Sequence, residues 1–315
     1  MAAFTLRRLA QYVSLLLIVS MIGFAVLHLA PGGPMAQMGG GDMNAGDVKR
    51  MEQQLGLGRP LPMQYMEWAG HILRGDWGHS YRDGQPVLAV IGSHLGATIE
   101  LMGTAMILAV VLGGAIGTAG AIYRNSLFDV STTFLSMVLV SIPTFWIGFV
   151  VIYFFSVKLG WLPAGNRATI GEHSFLDLLW HLIAPATVLA VVNMASWSRY
   201  IRASMLEVIG QDYIRTARAK GVSRTGILLN HTLRNALLPM ITIFGLQLPQ
   251  LLGGALVAET VFTWPGMGRL FLDSISYRDY PVIMGVLMFG AVVVLAGNFM
   301  ADVLYGVVDP RVRLR

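Results

Sequence analysis

Residues 101–123 read LMGTAMILAVVLGGAIGTAGAIY, with no Asp, Glu, Lys or Arg in the stretch. A bilayer core about 30 Å thick is crossed by about 20 apolar residues of helix. In hydrocarbon a chain segment must satisfy its own backbone N–H and C=O groups, which a helix does. Five more stretches are uncharged over more than twenty residues: 9–41, 130–157, 178–198, 235–258 and 280–301. The expectation is an all-α polytopic membrane protein with six transmembrane helices, at about 9–30, 101–123, 130–156, 179–198, 236–258 and 281–301.

Composition agrees with that reading. The chain of 315 residues is 55% hydrophobic and 12% charged, against about 25% charged in soluble domains. Its mean hydropathy is +0.63. One membrane domain over 1–315 is expected, with an extramembrane insertion at 42–100 and a loop at 199–234. With no cysteine, disulfides and thiolate metal sites are excluded.

Six crossings place both termini on one side. The side holding 1–8, 124–129, 199–234 and 302–315 carries 13 Lys and Arg in 64 residues, and the other side carries 9 in 100. By the positive-inside rule the denser side is cytoplasmic. The net charge of +5 is thus a topology signal, with the lipid bilayer as its partner and no nucleic acid implied. Arg7 and Arg8 precede an apolar run that continues to Ala30, longer than a signal-peptide core. A retained first helix is expected.

In the outer segment 42–100, Asp47 is positioned to cap a short helix through Val48, Met51 and Leu55. Pro62 is positioned to open a second through Tyr65, Met66, Trp68 and Ile72, closed by Gly75. Its aromatic residues suit either a membrane interface or a docking surface. The inner segment 199–234 is more informative. Asp212 is placed to cap a helix Tyr213–Lys220, which Gly221 can end in a left-handed conformation. Ser223 can cap the next helix, which runs towards Pro239. A slim, charged helix between two longer ones suits insertion into a partner's groove. An ordinary basic loop is the alternative, and the residues alone leave both open.

Several chemistries lack their motifs. The chain has no HExxH, GxSxG or GxxxxGK[ST] pattern, so no catalytic, cofactor or metal residues are assigned. Nor does it carry Asp, Glu, Lys or Arg within the apolar stretches, as coupled carriers usually do, and a lone His181 there is more often a helix-packing hydrogen bonder. Glu100, Glu259, Asp279 and Asp302 lie at their ends.

The stretch Asp212-Tyr213-Ile214-Arg215-Thr216-Ala217-Arg218-Ala219-Lys220-Gly221, with His231-Thr232-Leu233-Arg234-Asn235-Ala236-Leu237-Leu238-Pro239, resembles the "EAA" coupling loop of binding-protein-dependent ABC importer permeases. More narrowly it is similar to the dipeptide/oligopeptide/nickel permease family, first-subunit type. Glu259-Thr260-Val261-Phe262, Pro265-Gly266-Met267-Gly268, Arg278-Asp279-Tyr280-Pro281-Val282-Ile283 and Asp309-Pro310-Arg311-Val312-Arg313 match it too, as does Gly75-Asp76-Trp77-Gly78-His79-Ser80. In two places the chain departs from the family pattern. Arg215 and Thr216 replace the usual acid and alanine of the EAA pattern, and His94-Leu95-Gly96 stands before helix two where Arg-Leu-Pro is common.

The resemblance implies a type I ABC importer permease fold in a bacterial inner membrane, with N- and C-termini cytoplasmic. It implies a sister permease subunit, two ABC ATPase subunits and an extracytoplasmic substrate-binding protein. ATP and magnesium would sit on the ATPases, and this chain would be no enzyme. Tyr213, Arg215, Thr216, Ala217, Arg218, Ala219, Lys220, Gly221, Arg234, Asn235 and Pro239 would couple to the ATPases. The cargo would be di- or oligopeptides, with nickel chelates, opines or oligosaccharides as alternatives and a secondary transporter as a remote one.

The charge distribution generates a direct test. Reporter fusions at Asn125, Gln211 and the C-terminus should read cytoplasmic, and fusions at Gly84, Arg167 and Ser274 external. A cytoplasmic signal at Gly84 would refute the six-span topology.

Overall fold

A computed structural model describes residues 2–30, 46, 50, 58–172, 174–237, 240 and 255–308. Its elements in chain order are α1 (Ala2–Leu29), α2 (Leu61–Leu73), α3 (Val87–Ile122), α4 (Leu127–Ser141), α5 (Thr144–Val151), α6 (Phe175–Ile209), α7 (Asp212–Ala219), α8 (Arg224–Gly226), α9 (Arg234–Ala236), α10 (Met267–Tyr277) and α11 (Tyr280–Val308). Residues 255–261 are also helical. Two segments, Ile152–Lys158 and Ile227–Leu233, are wound as π-helix. The β-structure among the described residues is one isolated bridge, His79 to Pro86.

Among the described residues four helices are long and apolar enough to cross a membrane: Arg8–Leu29, Val87–Ile122, Phe175–Ile209 and Tyr280–Met300. The pair Leu127–Ser141 and Thr144–Lys158 makes a fifth if counted as one span, but it is bent by 101°. This corrects the expectation of one continuous helix over 130–156. Pro143 lacks an N–H and forces the residue before it out of helical geometry. Ile142 is accordingly extended, at φ −90° and ψ 130°. Most of the stretch 236–258 lies outside the described residues, as does the short helix expected after Asp47.

Other boundaries also move. The second span begins at Val87 rather than Leu101, so the last part of the expected 42–100 insertion belongs to α3. Pro86 starts it, its carbonyl accepting from the N–H groups of Ala89 and Val90. Glycine inside a helix costs only about 1 kcal/mol, and the stripe Val87, Val90 and Ile91 is buried, so Gly92 and Gly96 do not break it. The His94-Leu95-Gly96 departure is therefore mid-helix, not at a helix start. Likewise α6 carries on past Ser198 to Ile209, and the expected 199–234 loop begins as helix. The helix opened by Pro62 forms as expected, with Pro in its first turn and Gly75 beyond it at φ +84°.

The chain sorts into two compact units, Met1–Gly96 with Gly266–Ala296, and Ala97–Pro265 with Gly297–Arg315. In the first, α1 packs on α2 through Phe24, whose ring lies 5.5 Å from Tyr65, while Ser20 and Tyr65 share a 2.9 Å hydrogen bond. Val87, Ile91, Met267, Val282 and Val286 form its core.

In the second unit, α3 and α6 approach closely over small residues, as helices in lipid do. A Cβ on Gly113 would sit 2.9 Å from Trp197 Cβ, and one on Gly117 would overlap the Ser198 carbonyl oxygen. Met106, Ala109, Trp197, Ile201 and Met205 fill the interface. Gly117→Leu should therefore destabilise the folded protein by about 1–3 kcal/mol, the usual cost of overpacking. Gly103→Ala, where a Cβ meets nothing within 4 Å, should be neutral or slightly stabilising. Thermal unfolding of both variants in detergent tests the contrast, and equal midpoints would contradict it.

Candidate functional site

The segment after α6 folds into a short, separate helix for readable reasons. Gly210 and Gln211 close α6 with backbone bonds to Glu207 and Val208, at 3.2 and 3.1 Å. Gln211 then takes the extended N-cap geometry of α7. This corrects the expected Asp212 cap, because Asp212 is already inside the first turn. There its carboxylate favours the positive helix N-terminus and meets exposed Arg215 at 3.3 Å. Ile214 is fully buried and pins the helix to the protein.

The far end of α7 is a two-bond stop. Gly221 N–H donates to the Arg218 carbonyl at 3.0 Å and Val222 N–H to the Ala217 carbonyl at 3.2 Å. Gly221 sits at φ +78°. This is the Schellman arrangement, which glycine adopts without the Cβ penalty of other residues. Ser223 caps the next helix through its Oγ, which accepts from Gly226 N–H at 3.2 Å.

The sequence-predicted residues divide on this scaffold. Tyr213, Arg215, Thr216, Arg218, Ala219 and Lys220 are exposed and Ala217 is half-buried, and Arg218 also borders a cavity beside the helix. Arg234 is exposed, and Pro239 lies outside the described residues. The structure joins Asn235 to Tyr213, its Nδ2 donating to the Tyr213 hydroxyl at 3.1 Å and to the His231 carbonyl at 2.8 Å.

Sequence reasoning missed what supports this helix. Arg202, near the end of α6, makes a bidentate pair with buried Asp129, at 2.5 Å from Nε and 2.8 Å from Nη2. Asn125 N–H donates to the same carboxylate at 2.9 Å. Ser204 Oγ donates to the Ala236 carbonyl at 2.9 Å, tying α6 to α9. The missed signal was Asp129 itself, the acid flanking the uncharged stretch that begins at residue 130.

Two further hydrogen-bonded clusters hold loops in place, one in each unit. In one unit, buried Asp279 accepts from Ser80 Oγ at 2.5 Å and Tyr81 N–H at 3.1 Å, and the Arg82 guanidinium lies 3.9 Å over the Tyr277 ring. Burial, then the Asp279 and Tyr280 charges, push the Tyr81 hydroxyl up to about 12. In the other unit, fully buried Glu259 accepts from Thr98 Oγ1 at 2.6 Å and Trp264 Nε1 donates to the Ala97 carbonyl at 2.8 Å. Exposed Arg167 pairs bidentately with Glu100. Among the described residues no group of three His, Asp or Glu is placed to hold a metal ion.

These features define a polytopic helical membrane component with a short surface helix attached to its bundle. The chain belongs to the family of binding-protein-dependent transport system inner membrane components, whose profile matches residues 109–314, while the N-terminal profile of such membrane components matches residues 1–102. It is 44% identical to the oligopeptide transport system permease protein AppB of Bacillus subtilis (strain 168), over 99% of each chain. It is 41% identical to the glutathione transport system permease protein GsiC of Salmonella typhimurium, over 100% of each. Among solved structures, a chain of the MetNI methionine ABC transporter in inward-facing conformations superposes with a TM-score of 0.56 at 18% identity, covering 70% of this chain and 97% of that one. That likeness shows a shared fold.

The Asp279 cluster generates a test. Asp279→Ala leaves the Ser80 hydroxyl and Tyr81 N–H without their acceptor, which should cost about 2 kcal/mol of stability. Removing that charge should also bring the Tyr81 pKa below its present value of about 12. The sign is that of a raised group: stability tied to neutral Tyr81 is whole below pH 10 and fades as pH rises through about 12. Alkaline absorbance titration of the two proteins reads the shift, and identical tyrosinate curves would contradict it.

Proposed function

We propose that this chain is the first-type permease subunit of an ATP-driven peptide importer, and that α7 is its coupling helix. Together with a sister permease it would line the path for di- or oligopeptides handed over by an extracytoplasmic binding protein. Two ATPase subunits carrying ATP and magnesium would sit under the cytoplasmic face. Family membership and the oligopeptide and glutathione permease names of its relatives support this. In this reading the chain crosses the membrane six times as a type I permease, with 236–258 as the fifth span and both termini cytoplasmic.

The observation that carries the proposal is α7. It is eight residues long, anchored by one buried residue, Ile214, and ended by a left-handed glycine. It turns a slim face outward through Thr216 and Ala219. Such a helix can enter a groove as a knob while its own bundle moves as a rigid body. ATPase closure would push on α7, and α6 and the residues after α9 would carry the displacement into the bundle.

Bulk and turn geometry should therefore matter more than charge. Because Ala217 is half-buried and Ala219 exposed, the bulk test belongs at Ala219. Ala219→Trp should block seating. Gly221→Val should strain the exit, since a β-branched residue at positive φ is an outlier. Arg224→Gln should do much less. In the reconstituted complex, the first two should lose about tenfold or more of the ATPase stimulation by loaded binding protein, the scale of one displaced contact near the helix. Wild-type stimulation in both would end the coupling reading.

A further inference from the structure

Beside α7 lies a cavity of about 490 Å³, within the size range of small-molecule sites. Ile122 at the end of α3, Ile209 at the end of α6, Val222 and Ile227 give it apolar walls, and Arg218 and Thr232 bring polar groups to it. Neither polar group has a protein partner among the described residues. Thr232 is 1% exposed, and its Oγ1 has no hydrogen-bond partner among the described residues. Threonine inside a helix normally donates back to a carbonyl one turn earlier. Here Thr232 lies in the π-wound segment Ile227–Leu233 and makes no such bond. A buried hydroxyl left unpaired is unfavourable and calls for an acceptor.

Arg218 has no carboxylate partner among the described residues, whereas Arg215 on the same helix meets Asp212 and Arg202 meets Asp129. A planar guanidinium with free donors is matched to a phosphate, which it can grip with two parallel bonds. The apolar walls come from the ends of α3 and α6 and the cation from the helix beyond them, so the cavity runs from apolar to cationic, as a lipid does from chain to head group. Basic residues at that level attract anionic lipids of the cytoplasmic leaflet.

We propose that this cavity is a binding site for one anionic phospholipid of the cytoplasmic leaflet, its phosphate held by Arg218 and Thr232 and its upper acyl chain against Ile122, Ile209 and Ile227. The proposal rests on the reading above that this face is cytoplasmic. It gives Arg218 a role apart from the ATPase groove: the lipid ties the exit of α7 to the ends of α3 and α6, so coupling depends on the leaflet's composition.

The test uses the whole transporter, with sister permease and ATPases, in nanodiscs of equal parts phosphatidylglycerol and phosphatidylcholine. Native mass spectrometry then counts the lipid retained on the extracted complex. The wild type should keep phosphatidylglycerol over phosphatidylcholine. Arg218→Gln should lower that retention about tenfold, the weight of a hydrogen bond to a charged group, and the isosteric Thr232→Val about threefold. Adding inorganic phosphate should not displace the lipid. Equal retention of the two lipids, unchanged retention in both variants, or displacement by inorganic phosphate would each overturn the proposal. Ala219→Trp separates this from the coupling reading. If that variant keeps phosphatidylglycerol and loses ATPase stimulation, both stand. If it keeps both, the coupling reading fails and the lipid site remains.

Discussion

The close approach of α3 and α6 at Gly113 and Gly117 sets the geometry on which one whole end of the molecule depends. Water is absent from the bilayer core, so the hydrophobic effect does not press helices together there, and association relies on dispersion contact and shape. Side chains at these two positions would collide with Trp197 and the Ser198 carbonyl. With none present, the helix backbones pack closely enough to bury Met106, Ala109, Ile201 and Met205. Where α6 leaves the interface, Arg202 grips Asp129, and the turn before α4 is held to the same carboxylate through Asn125 N–H. Breaking one side of a buried pair is strongly unfavourable, so the direction of α6 is fixed close to its end. The two-residue turn Gly210-Gln211 passes that direction to α7.

A short helix mounted in this way suits a transmitter better than a catalyst. Apart from Tyr213 its exposed residues are small or charged, and it holds no nucleophile beside a base. The chemistry that drives transport belongs to other subunits in this reading. What the chain contributes is stiffness between a surface helix and a bundle, because packed interiors move as bodies rather than deforming. The two further clusters fit the same logic. Ser80 and Tyr81 bound to Asp279 stiffen one loop, and Trp264 bonded to the Ala97 carbonyl stiffens another.

Much of this was legible in the residues, and the failures have physical causes. Charge-free length located the helices of the first, second, fourth and last stretches, because hydrocarbon tolerates few alternatives. It mislocates their ends, because a helix can carry a paired charge such as Arg202, bound to Asp129, past an uncharged stretch. Pro143 was hidden inside an uncharged run, and charge counting has no term for a missing N–H. At the site, Gly221 and Ser223 were readable because cap chemistry is local. The anchoring of α7 by Ile214, and the bond between Asn235 and Tyr213, depend on tertiary contact and leave little trace in one sequence. The Asp212 cap failed by one residue, the usual uncertainty where Asp suits both a cap and a first turn.

The chain contains no cysteine, so a single introduced thiol reports on one place alone. Ala219→Cys puts that thiol on the exposed side of α7. Maleimide labelling should be fast in the permease pair alone and about tenfold or more slower once the ATPase subunits are bound, because a thiol buried in a partner's groove is shielded from reagent. A thiol at exposed Gly84, on the opposite face in this account, should label at one rate in both states. Equal labelling of Ala219→Cys with and without the ATPases would contradict the claim that α7 is the element through which ATP hydrolysis reaches this protein.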